Sequence, residues 1–243
     1  MLHNIDINKM NQLMENNKDA KQIISQLLEN YQTTVSSIAH EIRNPLTLVS
    51  SSLQVMEIQH PEVKQYSHWK QTMEDITFMC NLLSELSSFN NGHQLHHSVF
   101  SIEKLLKNIA VSFAISLDSE DSPIEFSSSI SSPLGDFTGD KVKLEEVFLN
   151  VLKNAKEAVD KKGSITLSAE RKKDTLLIQC KDNGCGISDD NIDNIFSPFM
   201  TSKEDGTGLG LPLSKRIIEA HNGTISVESI PGKETTFTIK LPI

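Results

Sequence analysis

Four short stretches carry residues whose types and spacing could do chemistry. In SIAHEIRNPLT (37–47) one histidine, His40, stands beside Glu41, with Asn44 one helical turn further on and Pro45 directly after it. A neutral imidazole nitrogen is nucleophilic near physiological pH, and a neighbouring carboxylate can take its proton or orient the ring. Glu41 is equally placed to be a solvated charge. In KVKLEEVFLNVLKNAKEAV (141–159) Asn150 and Asn154 are four residues apart and so share one face of a helix. In DNGCGI (182–187) Asp182 precedes Gly184 and Gly186, and in GTGLGLPLS (206–214) Gly206, Gly208 and Gly210 alternate with Thr207 and Leu209 directly before a helical pattern. Glycines that open a helix let backbone N–H groups come close to a phosphate at the positive end of the helix dipole.

Each of these groups needs an element to hold it. Ile24, Leu28, Tyr31, Val35, Ile38, Ile42, Pro45 and Val49 recur at steps of four and three, which predicts one long helix with a packed edge. His40 lies opposite Ile38 and Ile42 on that helix, on its solvent side. Pro45 removes the bond to the Glu41 carbonyl and acts either as a kink absorbed by packing or as a hinge just past the histidine. A second series, Tyr66, Trp69, Met73, Ile76, Cys80 and Leu83, follows Pro61, a residue suited to opening a helix. The short QHPE break (59–62) makes the pair an antiparallel hairpin. Two such helices cannot bury both apolar faces alone, so the hairpin either pairs with a second copy as a four-helix bundle, the expected homodimer, or docks on the rest of the chain.

The polar stretch SSFNNGHQLHHS (87–98) marks a boundary, and its His93, His96 and His97, with no cysteine or carboxylate among them, read as a solvated linker or strand edge and not a metal site. Beyond it helices alternate with strand-like runs such as SITLSAER and DTLLIQCKD, an order that predicts a mixed sheet covered by helices on one side. The expected organisation is a helical N-terminal extension (1–30), a hairpin (31–92) and an α/β unit (98–243). The extension is too short for a folded sensor domain, so a partner binds the signal or the chain is a piece of a longer one.

Composition removes other classes. A formal net charge of −9 argues against a nucleic-acid partner. Cys80, Cys180 and Cys185 have neither an even count nor CxxC spacing, which fits a reducing, cytoplasmic setting. No run approaches the ~18 apolar residues of a membrane span.

The order of the motifs carries a resemblance. NVLKNAKEA (150–158), DNGCGI, FSPFMTSK (196–203) and GTGLGL resemble the Asn, first glycine, Phe-containing lid and second glycine motifs of the Bergerat-type (GHKL) ATP-binding domain, and PGKETTFTIKLP (231–242) resembles its last strand pair. With SIAHEIRNPLT the chain is similar to sensor histidine kinases of two-component systems from about residue 31 onward, most of all to the sporulation and nitrogen-regulatory kinases. The resemblance implies a dimeric all-α hairpin followed by a two-layer α/β sandwich that binds ATP and Mg²⁺. It implies that Asp182 accepts a hydrogen bond from the adenine amino group, with Gly184 and Gly186 against the purine, and that Asn154 is the Mg²⁺ ligand.

Asn150 stands where gyrase-like relatives carry an acidic residue that activates water, which favours transfer over hydrolysis and speaks against an ATPase machine. Lys203 and the amides around Gly206, Thr207, Gly208, Leu209 and Gly210 are the implied phosphate contacts, with 188–205 as a mobile lid. His40 is then the acceptor, Glu41 its base, and Asn44 the group that orients water toward a phospho-aspartate on a response-regulator receiver domain. The alternative is a phosphatase or phosphorelay docking module. Glu157 stands where many kinases of the class carry a basic residue, and the lysines of this chain fall at Lys153 and Lys156 instead; Met200 and Glu234 are further departures.

Overall fold

The computed structural model describes residues 7–92, 95–119, 123–159, 162–201, 203 and 206–243. Residues 1–6 of the expected extension, His93, and Ser202, Glu204 and Asp205 of the expected lid lie outside the described residues. The chain divides into two compact units, Met1–Asn91 and Gly92–Ile243.

The first unit is helical. Helix α1 (Ile7–Asn16) is followed by α2 (Lys18–Gln59), which Asn17 caps by accepting the N–H groups of Asp19 and Ala20 at 3.0 and 3.1 Å. A division at residues 30 and 31 therefore falls inside one continuous helix. The helix also runs unbroken through Pro45. Pro61 does not open the second long helix: it starts a short 3-10 turn, Pro61–Gln65, and α3 spans Trp69–Asn91, which leaves Tyr66 outside it and exposed. The Trp69 indole N–H reaches back to Glu57 Oε2 (2.9 Å) and Lys64 pairs with Glu57 (2.8 Å), so the hairpin end is tied by side chains that the 3–4 spacing does not report.

The face of α2 that loses exposure also differs from the expected seam. Ser36 and Ala39 are buried and Arg43, Leu46, Ser50 and Leu53 half-buried, whereas Tyr31, Ile38, Ile42 and Val49 stay exposed, Ile38 by 50% and Ile42 by 46%. The apolar stripe is thus real but lies beside the seam shared with α3, where small residues let the two helices approach. Among the described residues of the hairpin that stripe remains exposed.

The second unit holds a five-stranded sheet of order β2-β4-β5-β7-β6, made of β2 (Glu125–Ile130), β4 (Ser164–Lys172), β5 (Thr175–Asp182), β6 (Thr224–Ile230) and β7 (Glu234–Pro242). Only the β2–β4 pair is parallel. Alternate residues of β4, β5 and β7 are buried, as expected of a sheet covered on one face. The cover is α4 (Ile102–Ser119), α5 (Lys141–Ala158) and α7 (Gly210–Ala220). Leu144, Phe148 and Leu152 of α5 are almost completely buried, and such side chains contribute about 1.5–3 kcal/mol each. The arrangement is the two-layer α/β sandwich that the motif order implied. A two-stranded ladder of β1 (Ser98–Ser101) and β3 (Asp136–Gly139) was not anticipated, because four-residue strands are too short to show a period.

Asp140 caps α5 through the Lys143 N–H (3.1 Å) and also accepts the His96 N–H (2.8 Å), while its own N–H donates to Nε2 of buried His221 (2.9 Å). His221 Nδ1 donates to the Ile217 carbonyl (2.7 Å), so the ring is fixed neutral. Burial pushes its pKa down, and His97 adds to this, against the pull of the Ile217 carbonyl and Asp140. A histidine with a lowered folded-state pKa costs stability once the unfolded chain protonates, that is, as pH falls through about 6.5. The melting temperature of the chain is expected to fall between pH 7.5 and 5, and to fall less in His221→Gln; equal slopes for the two proteins would contradict the assignment. Among the described residues no group of three His, Cys, Asp or Glu side chains is arranged to hold a metal ion.

Candidate functional site

Asp182 ends β5 and is only 2% exposed. Its Oδ1 accepts the Gly184 N–H (2.9 Å), which leaves Oδ2 as the available acceptor. Burial raises its pKa, the Gly184 amide opposes this, and the charge of Glu234 adds to the rise. The residue opposite it in the β5–β7 register is Thr235, buried, with Oγ1 3.1 Å from Ser229 Oγ. Ser229 accepts the Ile187 N–H (2.8 Å) and donates to the Glu234 carbonyl (2.9 Å), so the loop after Asp182 is stitched to the β6–β7 hairpin. Sequence reasoning passed over Thr235, whose signal is its place as the one polar residue in the inward series Thr235, Phe237, Ile239, Leu241.

The glycines of this loop have close protein neighbours. A Cβ on Gly184 would run into the Ala158 carbonyl at the end of α5, and the Cys185 N–H donates to that same oxygen (2.9 Å). Gly186 has φ +67°, and a Cβ there would meet the Ile230 carbonyl. The space they leave is taken by backbone, which fixes the loop at the mouth of Asp182 before any ligand arrives.

Asn150 and Asn154 project from α5 to different partners. Asn150 donates through Nδ2 to Ser214 Oγ (2.8 Å), and Ser214 donates to the Gly210 carbonyl (3.0 Å). A Cβ on Gly210 would lie 2.6 Å from Asn150 Oδ1. Asn150 therefore fastens the start of α7 to α5. Asn154 is half-buried, and its Oδ1 accepts from Lys203 Nζ (3.1 Å), which also pairs closely with Glu157.

The described part of the lid contains the short helix α6 (Asp189–Ile192) and Phe199, which has φ +64° and is 61% exposed. The Phe199 N–H donates to the Gly208 carbonyl (2.9 Å), and Gly208, at φ +68°, has no room for a Cβ because the Phe199 backbone lies 2.6 Å away. The Thr207 hydroxyl accepts the Leu209 N–H (3.3 Å), and Leu209 is fully buried beneath the first turn of α7. Gly206 has its Cβ space filled by Thr201.

These residues suit a nucleotide and a divalent cation. Asp182 offers a buried acceptor, the loop 206–210 leads into a helix N-terminus, and Asn154 supplies one hard oxygen, as Mg²⁺ takes when phosphates and water complete its shell.

On the hairpin, His40, Glu41 and Asn44 are all exposed. His40 is not free, however: Nδ1 lies 3.1 Å from Arg43 Nη1 and Nε2 lies 3.3 Å from Ser87 Oγ of α3. Arg43 also donates through Nη2 to the Leu83 carbonyl (2.7 Å). Ser37 Oγ donates to Glu41 Oε1 (3.4 Å). Sequence reasoning passed over Arg43, three residues after His40, and nothing in the sequence singles out Ser87.

Residues 139–243 match the family described as "Histidine kinase-, DNA gyrase B-, and HSP90-like ATPase". The signal transduction histidine-protein kinase AtoS of Escherichia coli (strain K12) is 33% identical over 86% of this chain and 34% of its own length. Sporulation kinase C of Bacillus subtilis (strain 168) is 33% identical over 90% of this chain and 50% of its own length. Residues 139–243 are thus similar to GHKL-type ATPase domains, and the chain as a whole is similar to sensor histidine kinases. It spans half the length or less of these two relatives. Crystallised full-length ShkA in complex with AMPPNP is 25% identical and superposes with a TM-score of 0.74 over 86% of this chain and 45% of ShkA. The catalytic domain of histidine kinase ThkA is 26% identical, with a TM-score of 0.55 over 60% of this chain and 95% of that domain. Sensor kinase ZraS of E. coli is 31% identical and sporulation kinase D 32%, so the subgroup favoured by the sequence does not stand apart. No helix among the described residues is long and apolar enough to cross a membrane.

Proposed function

We propose that the chain is an ATP-dependent protein histidine kinase in which His40 takes the γ-phosphoryl group of ATP and passes it to an aspartate of a response-regulator receiver domain. The observation that carries this reading is the pairing, in one chain, of an exposed His-Glu-x-x-Asn face on a helical hairpin with a GHKL unit that holds a buried carboxylate, Asp182, and a half-buried amide, Asn154. Asp182 selects the base, and the 206–210 amides with Lys203 hold the phosphates. Asn154 would hold Mg²⁺, which neutralises phosphate charge during transfer. A His40 ring nitrogen bonds to the γ-phosphorus as the bond to the ADP oxygen breaks, and Glu41 takes the ring proton. Asn150 sets α7, and an amide there supplies no base for water. The test is incubation with γ-labelled Mg-ATP, with label on the chain expected to be stable to base and lost in acid.

The exposed stripe of Tyr31, Ile38, Ile42 and Val49 fits a second copy of the hairpin, so the working form in this reading is a cytoplasmic homodimer with a four-helix bundle. Within the family we place the chain nearest the kinases whose motif is HEIRNPLT, the sporulation and nitrogen-regulatory group.

Asn44 favours a second activity on the same face, because its exposed amide one turn from His40 can orient a water toward a receiver phospho-aspartate. Asn44→Ala is expected to lower the ratio of receiver dephosphorylation to His40 labelling about tenfold. An unchanged ratio would remove Asn44 from that step.

Lys203, held by Asn154 and Glu157, has to leave them to meet phosphate. Breaking a half-exposed ion pair changes affinity modestly, so Glu157→Gln is expected to bind a Mg-ATP analogue about two- to fivefold more tightly. Weaker or equal binding by titration would show that the pair does not restrain the lysine.

A further inference from the structure

The hairpin holds His40 by both ring nitrogens, and this sets what the ring can do. Arg43 directs Nη1 at Nδ1 while Nη2 is anchored on the Leu83 carbonyl of the facing helix. A guanidinium has donors and no acceptor, so Nδ1 is the acceptor of that bond and its lone pair is committed. In the neutral ring the proton therefore sits on Nε2. Nε2 in turn faces Ser87 Oγ, and since Nε2 carries the proton, the serine oxygen accepts it. Neither nitrogen presents a free lone pair to an electrophile.

Ser87 is 7% exposed, and so belongs to the seam between the helices. Along the same stretch Ser36 Oγ, Arg43 Nε and Asn90 Nδ2 are buried without a hydrogen-bond partner among the described residues. Folded proteins rarely leave such atoms unmet, and three of them around one seam mark an arrangement with hydrogen bonds still to gain from a shift of the helices.

We propose that Ser87 is a positioning residue that, with Arg43, clasps the His40 imidazole in its Nε2–H tautomer, and that phosphoryl acceptance begins when the ring leaves this clasp. In this role Ser87 acts through the ring. The proposal rests on His40 being the acceptor, and its test separates the two.

In the full chain labelled with ¹⁵N-histidine and free of nucleotide, under conditions where the ring is neutral, the His40 spectrum is expected to show a pyridine-like Nδ1 and a protonated Nε2; the opposite tautomer would overturn the clasp. Ser87→Thr and Ser87→Val differ in shape very little but only the first keeps a hydroxyl. Ser87→Thr is expected to label His40 at the native rate. Ser87→Val is expected to label it about two- to tenfold faster, the worth of one hydrogen bond, at unchanged KM for ATP. Equal rates for the two variants would overturn the role of Ser87. Should no His40-dependent label form in any of these proteins, the kinase reading fails and the spectra alone decide the clasp: the Nε2 resonance must shift in Ser87→Val and stay in Ser87→Thr. A Ser87→Val protein that leaves this resonance in place would also overturn it.

Discussion

Asp182→Asn is expected to bind nucleotide about a hundredfold more weakly than the native chain, as a buried acceptor facing a donor becomes a donor facing a donor. In the variant the amide oxygen keeps the Gly184 N–H, which Oδ1 accepts now at 2.9 Å, and the amide nitrogen is left toward the adenine amino group. The loop should therefore survive while the recognition is lost. The stability of the same variant makes the prediction sharper. Burial raises the folded-state pKa of Asp182, so the folded chain holds the proton more tightly than the unfolded chain does. At neutral pH the ionised carboxylate thus subtracts from stability, and that loss is recovered as pH falls through the raised folded value toward the ordinary carboxylate range. Asparagine removes the penalty, so Asp182→Asn should melt no lower than the native chain at pH 7 while failing to bind. Titration with a fluorescent ATP analogue, paired with a thermal melt, reads both. Native-like affinity would show that the adenine is recognised elsewhere, and a collapsed melt would assign Asp182 to folding.

The parts of the fold set by long periodic runs were legible in the sequence. The α5 run from Lys141 and the alternating runs of β4, β5 and β7 announce themselves because a one-sided core demands a period of 3.6 or 2. What escaped was set by contacts distant in the chain. Pro61 looks like a helix start, but the tie from Trp69 to Glu57 delays the helix by eight residues. The apolar stripe of α2 was visible, yet the seam with α3 runs beside it through Ser36, Ala39 and Arg43, small or polar residues that no hydrophobicity pattern selects.

The candidate site divides in the same way. Asp182, Asn154 and the glycines stand in short motifs and could be named directly. The glycines, though, are packed against Ala158, Ile230 and Phe199, so their small size serves the loop's own architecture as well as any ligand. Asn150, which the resemblance counts among the nucleotide-binding residues, also fastens α7 through Ser214. Thr235 and Ser229 come to Asp182 only through strand pairing, and Ser87 comes to His40 only through the hairpin. Residues that act by holding others carry little signature of their own.

In the proposed reaction His40 receives phosphate from ATP bound by the second unit. In labelled Mg-ATP the native chain should gain base-stable, acid-labile label. His40→Gln should lose it by more than about a thousandfold, because glutamine keeps the size and polarity of the side chain but has no nucleophilic nitrogen. His40 lies outside the GHKL unit, so the variant should bind ATP with native affinity, which excludes loss of the nucleotide site as the cause. The result predicted is abolished label with ATP binding intact. Label that persists in His40→Gln, or label on the native chain that survives acid and is lost in base, would contradict it.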